Sequence, residues 1–203
     1  WNLLPTSTYL YGEEEGGTLM EERGLVKLAR RGDVGAFTEL VERHERPMYA
    51  TACSLLRSEW DAADAVQEAF TEAFEHLGDL RDPDRFRAWL SRIVINKCYQ
   101  RYRDSARLYV VEELPDRPAP ADPVSAEESF DLIRAVRKLD DDHRTTVALR
   151  YFCDLKIDEV ADVLGCPVGT VKSRLNRALT KLHMTLGTGS AGSVRSDVQE
   201  VAR

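Results

Sequence analysis

Apolar residues recur at helical intervals along most of this chain. From Leu25 onward they stand three or four positions apart, which places them on one face of an α-helix. Gly32-Asp33 interrupts the first two such stretches, and Asp33 is the predicted N-cap of a helix that begins at Val34. Strand-like alternation of apolar and polar residues is almost absent. The pattern therefore predicts an all-α fold.

Two longer helices are predicted next. One starts near Asp61 and ends at Gly78, with small and aromatic residues on one side and acids around the rest. The other extends from about Arg85 to Arg103, and its apolar stripe includes Trp89. We interpret Trp89 as a core residue rather than a stacking platform, because it shares this stripe with aliphatic and aromatic neighbours. A first domain of four or five packed helices is expected.

Prolines and acids mark a break between two helical blocks. The stretch that follows the first block contains four prolines and a run of acids, and proline favours extended conformations. A second block with helical periodicity begins near Ser129 and predicts a four-helix domain. The expected divisions are a flexible leader 1–22, a first domain 23–107, a flexible linker 108–128, a second domain 129–187 and a flexible tail 188–203.

The second block contains a helix-turn-helix signature. Gly165 permits the left-handed backbone conformation between two crossing helices, and Pro167 suits the first position of the second helix. Helical spacing turns Val168, Val171, Leu175 and Leu182 inward and Thr170, Lys172, Ser173, Asn176 and Arg177 outward. The outward residue types are those that read base edges and phosphates in the major groove. An ordinary helical hairpin with a polar face is the alternative.

Charge is sorted along the chain, although the net charge is −7. Residues 58–84 carry nine acids and one arginine, residues 85–107 carry seven basic residues and one acid, and residues 165–187 carry four basic residues and no acid. Proteins that bind nucleic acid neutralise phosphates with Lys and Arg, so the two basic blocks are candidate nucleic-acid surfaces. Solvated helix faces are the alternative explanation of such blocks.

Composition argues against several other classes of protein. No uncharged apolar run reaches the roughly 18 to 20 residues of a membrane-spanning helix, and no secretory signal is recognisable, so we expect a cytoplasmic protein without membrane insertion. The four cysteines form no C-x-x-C pair and the histidines lack zinc-ligand spacing, so no metal and no cofactor are expected. Cys98 and Cys153 lie among apolar neighbours and are expected to behave as small hydrophobes, with redox sensing left open.

Four segments, in order, resemble the extracytoplasmic-function sigma factors of the sigma-70 family. They are Gly32-Asp33 followed by Ala36-Phe37 and Leu40, then residues 61–70, residues 86–96, and residues 167–174 at the end of the helix-turn-helix. The resemblance covers about residues 25–185. It implies that the first domain is sigma region 2, which binds RNA polymerase and the −10 promoter element. It implies that the second domain is sigma region 4, which binds the −35 element as duplex DNA.

The resemblance also implies roles for particular residues. The acidic helix would dock on the clamp coiled coil of the largest subunit of core RNA polymerase, and a basic partner would steer it into place. The following basic helix would hold a base extruded from the non-template strand. The implied residues are Asp61, Asp64, Gln67, Glu68 and Glu72 for polymerase, Asn96, Lys97, Arg101 and Arg103 for the −10 element, and Thr170, Lys172, Ser173, Asn176 and Arg177 for the −35 element. An anti-sigma factor is a further implied partner.

Two other hypotheses have less support in the sequence. A stand-alone helix-turn-helix repressor or activator would bind operators as a dimer, and it would leave the acidic helix without a role. An enzyme would need catalytic motifs, and the chain has no Gly-rich phosphate loop, nucleophile elbow or His-rich metal motif. We therefore expect a transcription factor and no catalytic residues.

Overall fold

Every regular element in the described part of the chain is helical. The computed structural model describes residues 21–108 and 126–186. The predicted tail, nearly all of the predicted leader and most of the predicted linker lie outside these residues. The α-helices are α1 Glu22–Ala29, α2 Val34–Leu55, α3 Glu59–His76, α4 Phe86–Leu108, α5 Ala126–Arg137, α6 Asp141–Val147, α7 Ile157–Leu164 and α8 Val168–Leu186. The prediction of an all-α fold is confirmed.

Shorter helical turns connect some of these helices. Two 3-10 turns, Leu77–Asp79 and Pro83–Arg85, join α3 to α4. One π-helical turn, Ala148–Phe152, continues α6. The first 3-10 turn contains Gly78, so α3 ends two residues before this glycine rather than at it.

Side chains cap two helices of the first half. The carboxylate of Asp33 accepts a hydrogen bond of 3.0 Å from the backbone N–H of Ala36, so the predicted N-cap of α2 is confirmed. The hydroxyl of Ser58 accepts a hydrogen bond of 3.2 Å from the N–H of Asp61. Because Ser58 provides this cap, α3 begins two residues earlier than the apolar pattern predicts.

Helices α1–α4 form the first half of the molecule around buried aromatic and aliphatic side chains. Phe86 is fully buried, and its ring centroid lies 5.4 Å from that of His44 and 6.1 Å from that of Trp89. Trp89 packs against this core, as the sequence predicts. His44 Nε2 also lies 3.0 Å from a carboxylate oxygen of Glu22, and this hydrogen bond lowers the pKa of Glu22. Helix α1 is thereby fixed to α2.

Helices α5–α8 form the second half, in which α8 packs against the other three. Four α-helices are the number predicted for this part of the chain. The interior of the second half is aliphatic, with Val136, Leu149, Leu155, Val160 and Leu175 almost completely buried. Among the described residues, no helix has the length and apolarity that crossing a membrane requires.

The two halves share one apolar core. Helix α2 packs against α5, α6 and the π-turn, and α4 packs against α7. At this contact the buried hydroxyl of Thr51 lies 3.1 Å from the Cys153 sulfur. The Arg137 guanidinium donates a hydrogen bond of 2.6 Å to the carbonyl of Cys53. The linker therefore joins two halves that are already in direct contact, an arrangement that the sequence pattern does not predict.

The three most buried cysteines are free thiols within the apolar core. Cys53, Cys98 and Cys153 are free and buried, as predicted for the last two. Loss of hydration raises the pKa of all three thiols, to about 12 for Cys98. They therefore stay protonated at neutral pH, and the thiolate is the reactive form.

Because the core is continuous, we predict that a cavity in the second half destabilises the first half as well. Leu149→Ala removes a fully buried side chain from the π-turn that packs on α2 and should lower the free energy of unfolding by about 2–5 kcal/mol. Urea denaturation followed by tryptophan fluorescence tests this, because Trp60 and Trp89 lie in the first half. A fluorescence midpoint that stayed at the wild-type value would contradict the shared core.

Candidate functional site

The predicted helix-turn-helix is formed by α7, α8 and the turn between them. Gly165 has φ 63° and ψ 34°, which is the left-handed conformation that the sequence predicts. The N–H of Cys166 donates a hydrogen bond of 3.1 Å to the carbonyl of Ala161 and closes the end of α7. Pro167 directly precedes α8, one residue before the predicted position within the helix, and its carbonyl accepts a hydrogen bond of 2.9 Å from the N–H of Thr170.

The inner face of α8 is largely as predicted. Val171, Leu175 and Leu182 are buried against the rest of the second half. The prediction that Val168 faces inward is wrong, since this residue is 43% exposed. It is the first residue of α8, so no earlier turn of this helix shields it.

The outer face of α8 carries the residues predicted to bind the −35 element. Lys172, Ser173, Asn176 and Arg177 are exposed, and Thr170 is half-buried. The Ser173 hydroxyl donates a hydrogen bond of 2.9 Å to the Thr170 carbonyl. Within residues 21–108 and 126–186, the side chains of Lys172, Asn176 and Arg177 have no hydrogen bond or ion pair. These three residues are therefore available to a ligand.

The other two basic residues of α8 stabilise the second half instead. Arg174 forms an ion pair with Asp142, and Lys181 Nζ lies 2.8 Å from a carboxylate oxygen of Asp140. The hydrogen bond from Lys181 is the largest cause of a lowered pKa at Asp140, which keeps this carboxylate charged. Two of the four lysines and arginines of α8 therefore pair with acids of the second half, and the other two have no such partner among the described residues.

The residues predicted to bind polymerase lie on one side of α3. The side chains of Asp64 and Glu68 are 65% and 50% exposed, and Gln67 is exposed beside them. Asp61 and Glu72 extend the same side by about one turn each way, with 47% and 41% of their side chains exposed. A partner can reach all five residues together.

The residues predicted to bind the −10 element divide into two groups on α4. Asn96 and Arg103 are exposed. Lys97 and Arg101 point toward α3 and are three-quarters buried or more. The Lys97 ammonium lies 2.7 Å from the carboxylate of Glu72. The structure therefore brings two predicted DNA-binding cations into contact with the predicted polymerase-binding helix.

Arg101 contacts three carboxylates of α3 at once. Its guanidinium lies 3.2 Å from Asp64 and 3.8 Å from Asp61, and it forms a hydrogen-bonded ion pair with Glu68. Partial burial opposes the charge on Arg101. The hydrogen bond and charge of Glu68, followed by the charges of Asp64 and Asp61, outweigh this effect and raise its pKa.

Three further arginines of the basic block contact the second half. Arg85 forms an ion pair with the carboxylate of Asp162, and Arg92 donates a hydrogen bond to the carbonyl of the same residue. Arg87 lies 3.2 Å from the carboxylate of Asp154. The sequence shows that this block is basic. It gives no signal for these partners, which are 67 to 77 positions away along the chain.

Two models of known protein families match this chain. The model described as Sigma-70 region 2 matches residues 40–108, which include most of α2, all of α3 and all of α4. The model described as Sigma-70, region 4 matches residues 129–182, which include most of α5 and of α8 and the whole helix-turn-helix. The acidic side of α3, the exposed part of α4 and the outer face of α8 thus fall inside the matched residues.

Curated proteins from several bacteria are similar along nearly their whole length. The chain is 31% identical to the RNA polymerase sigma-H factor of Pseudomonas aeruginosa, with 83% of this chain and 95% of the relative covered. It is 34% identical to the ECF RNA polymerase sigma factor SigM of Mycobacterium tuberculosis, with 79% and 82% covered. It is 29% identical to the ECF RNA polymerase sigma factor SigW of Bacillus subtilis, with 79% and 94% covered.

Solved structures show a similar arrangement of helices. CnrH, solved in complex with the cytosolic domain of CnrY, has a TM-score of 0.63 at 34% identity, covering 83% of this chain and 99% of CnrH. The sigma factor RpoE of Bartonella quintana, solved with the anti-sigma factor NepR, has a TM-score of 0.63 at 24% identity, covering 77% and 100%, and supports the fold alone. Taken with the two region matches and the relatives above 30% identity, these likenesses show that the chain belongs to the extracytoplasmic-function group of the sigma-70 family.

Proposed function

We propose that this sigma factor starts promoter-specific transcription by holding core RNA polymerase on α3 and two promoter elements on α4 and α8. The observation that carries the proposal is the outer face of α8, where Lys172, Asn176 and Arg177 are exposed on the second helix of a helix-turn-helix. The protein performs no covalent chemistry itself, because the polymerase catalyses RNA synthesis. It would act in the cytoplasm, where polymerase and promoter DNA meet.

The −35 element would be read by α8 in the major groove. Arg177 and Lys172 have the donors that pair with guanine edges or with phosphates, and Asn176 can form two hydrogen bonds to adenine. Thr170 and Ser173 have hydroxyls suited to phosphate near the start of the helix. The side opposite these residues is buried in the second half, so the docking surface is rigid.

The −10 element would be bound as a single strand along α4. Asn96 is exposed and can form hydrogen bonds with an unpaired base, and Arg103 is exposed two turns farther along, where it can contact the backbone. Lys97 and Arg101 complete the set only if they leave their carboxylate partners on α3. Binding of the −10 element would therefore depend on whether the acids of α3 still hold Lys97 and Arg101.

Core polymerase would bind the exposed acids of α3. Asp64 and Glu68 lead this surface, with Asp61, Gln67 and Glu72 around them. Oppositely charged surfaces accelerate encounter and fix the register of a complex. A basic segment of the polymerase clamp is the partner that this charge pattern favours.

Simultaneous binding of both elements requires the two halves to separate. The elements are about 25 base pairs apart, which corresponds to about 85 Å at about 3.4 Å per base pair. A compact body of this size has a radius of gyration of only about 15 Å. Residues 109–125 can span at most about 60 Å when fully extended, enough to let the halves move apart. The form bound to a promoter would thus be more open than the packed structure.

An anti-sigma factor is the proposed regulatory partner. CnrH, the 34% identical structural relative, was captured with the cytosolic domain of a second protein, CnrY. A protein that holds the two halves together would block the separation described above. Such a partner would stabilise the packed arrangement without any change to the residues that bind DNA.

Run-off transcription with purified core polymerase on a library of genomic fragments tests the proposed function. A sigma factor makes core polymerase initiate at a common sequence motif. A stand-alone repressor or activator would bind DNA as a dimer and would give no initiation with core enzyme. Absence of both core binding and run-off product would overturn the proposal.

Arg177→Ala should weaken binding to the −35 duplex about tenfold, within the roughly 1–3 kcal/mol expected for a base-contacting arginine. The same change should reduce run-off from that promoter and relax sequence preference at one position. Lys181→Ala is the matched control, since it removes an equal charge from the same helix at a side chain paired with Asp140. Equal losses from the two variants, measured by fluorescence anisotropy, would argue against base reading by Arg177.

Asp64→Lys should lower the affinity for core polymerase at least tenfold, which corresponds to about 1.4 kcal/mol. The reason is that a lysine at this exposed site repels a basic partner. Asp79→Lys makes the same reversal just past the end of α3, where the side chain is 79% exposed, and should change affinity much less. Competition binding against a labelled wild-type chain gives both values, and the two variants should differ clearly.

Locking the two halves together should abolish initiation. Thr51→Cys places a second thiol beside Cys153, whose sulfur now lies 3.1 Å from Thr51 Oγ1, so a disulfide bond of about 2.05 Å requires the two side chains to move closer by about 1 Å. After oxidation, run-off should fall to background, and a reductant should restore it. Thr51→Ser treated with the same oxidant should keep its activity. A fully cross-linked protein that initiated normally would show that the halves do not need to separate.

A further inference from the structure

Arg101 occupies a position between two proposed binding surfaces. It belongs to α4, the helix that carries Asn96, yet only 25% of its side chain is exposed and its guanidinium faces α3. The three carboxylates around it, Asp61, Asp64 and Glu68, all belong to the proposed polymerase surface. One cation is therefore within reach of both the acidic surface and a strand bound along α4.

Lys97 repeats this arrangement one turn earlier on α4. Its ammonium lies 2.7 Å from Glu72, and 22% of the side chain is exposed. Together, Lys97 and Arg101 engage four of the five residues proposed to bind polymerase. Within the described ranges, Arg103 forms no such ion pair. The proposed −10 surface therefore contains two cations that pair with α3 and one that does not.

Because of these ion pairs, DNA competes with the acids of α3 for Lys97 and Arg101, and polymerase competes with Lys97 and Arg101 for those acids. A DNA strand that approaches α4 meets cations whose charge is already compensated by nearby carboxylates. A basic partner that approaches α3 can supply replacement charges for those carboxylates. Opposite charges a few ångströms apart near a protein surface interact appreciably, and the pairs here are partly shielded from solvent.

We infer that Arg101 is shared between the polymerase surface and the −10 strand, so that binding of a basic polymerase segment to α3 releases Arg101 for the phosphates of the strand. The inference rests on the proposed function. Arg101 is a positioning residue for the carboxylates in the free protein and a DNA ligand in the complex. If polymerase raises the affinity for the DNA strand by some factor, thermodynamic linkage requires that the strand raises the affinity for polymerase by the same factor.

A substitution on α3 can release Arg101 without polymerase. Removing the charge of Glu68 deletes the closest partner of Arg101 but leaves its guanidinium in place. Such a variant should imitate the effect of polymerase on the DNA surface. Glu75 belongs to the same helix and is exposed, and among the described contacts it does not reach Arg101. It provides a control for the general loss of one negative charge.

The experiment measures binding of the free chain to a short fluorescein-labelled oligothymidylate at low salt. Glu68→Gln should raise the affinity about five- to tenfold, as expected for a coupling of typical size, whereas Glu75→Gln should change it less than about twofold. When Arg101 is already replaced by Gln, Glu68→Gln should raise the affinity for the oligothymidylate no more than Glu75→Gln does. Circular dichroism checks folding, and Asp64→Asn, which deletes a second Arg101 contact, is the substitute if Glu68→Gln is unstable.

Two outcomes would overturn the inference. One is an equal gain from Glu68→Gln and Glu75→Gln, since that reflects net charge alone. The other is a gain from Glu68→Gln that persists without Arg101. The measurement contains no polymerase, so either outcome leaves the run-off test of the proposed function intact. Failure of the run-off test would, conversely, be seen without any measurement on Arg101.

Discussion

Helix α2 joins the two halves of the molecule, because it packs against helices of both. It packs against α1, α3 and α4 of the first half and against α5, α6 and the π-turn of the second. Apolar burial supplies the stabilising free energy but has no direction. Two polar contacts fix how the halves are oriented: the hydrogen bond from Arg137 to the Cys53 carbonyl and the contact of Thr51 with Cys153. Each of them can form in only one relative placement of the halves.

Charged residues on α4 and α8 either form ion pairs within the fold or remain exposed, and their position on the helix determines which. On α8, Arg174 and Lys181 form ion pairs with Asp142 and Asp140, while Lys172 and Arg177 remain exposed on the outer face. On α4, Arg87 and Arg92 contact the second half, whereas Lys97 and Arg101 contact α3. The surface left for nucleic acid is thus smaller than the basic block in the sequence. This is how an acidic protein can present two restricted basic surfaces.

The same reasoning bears on how the packed form can open. Surface ion pairs such as Arg85 with Asp162 contribute little to stability, because water and salt compete for both partners. The apolar contact beneath them contributes more. A basic partner on α3, a DNA strand on α4 and a duplex on α8 would each favour separation only by binding the open form more tightly. In the proposed opening, ligand binding would supply the free energy, and the ion pairs would determine which ligand can act.

The all-α fold, the cap at Asp33, the left-handed turn at Gly165 and the outward residues of α8 follow from the amino-acid sequence, because helical periodicity and turn chemistry are local properties. The family can also be identified from the sequence, through its four motifs. The shared core of the two halves and the contacts of Arg101 and Lys97 with α3 become visible only in the folded structure. Contacts between residues tens of positions apart depend on how helices pack, and a period along the chain contains no information about which helix will lie opposite.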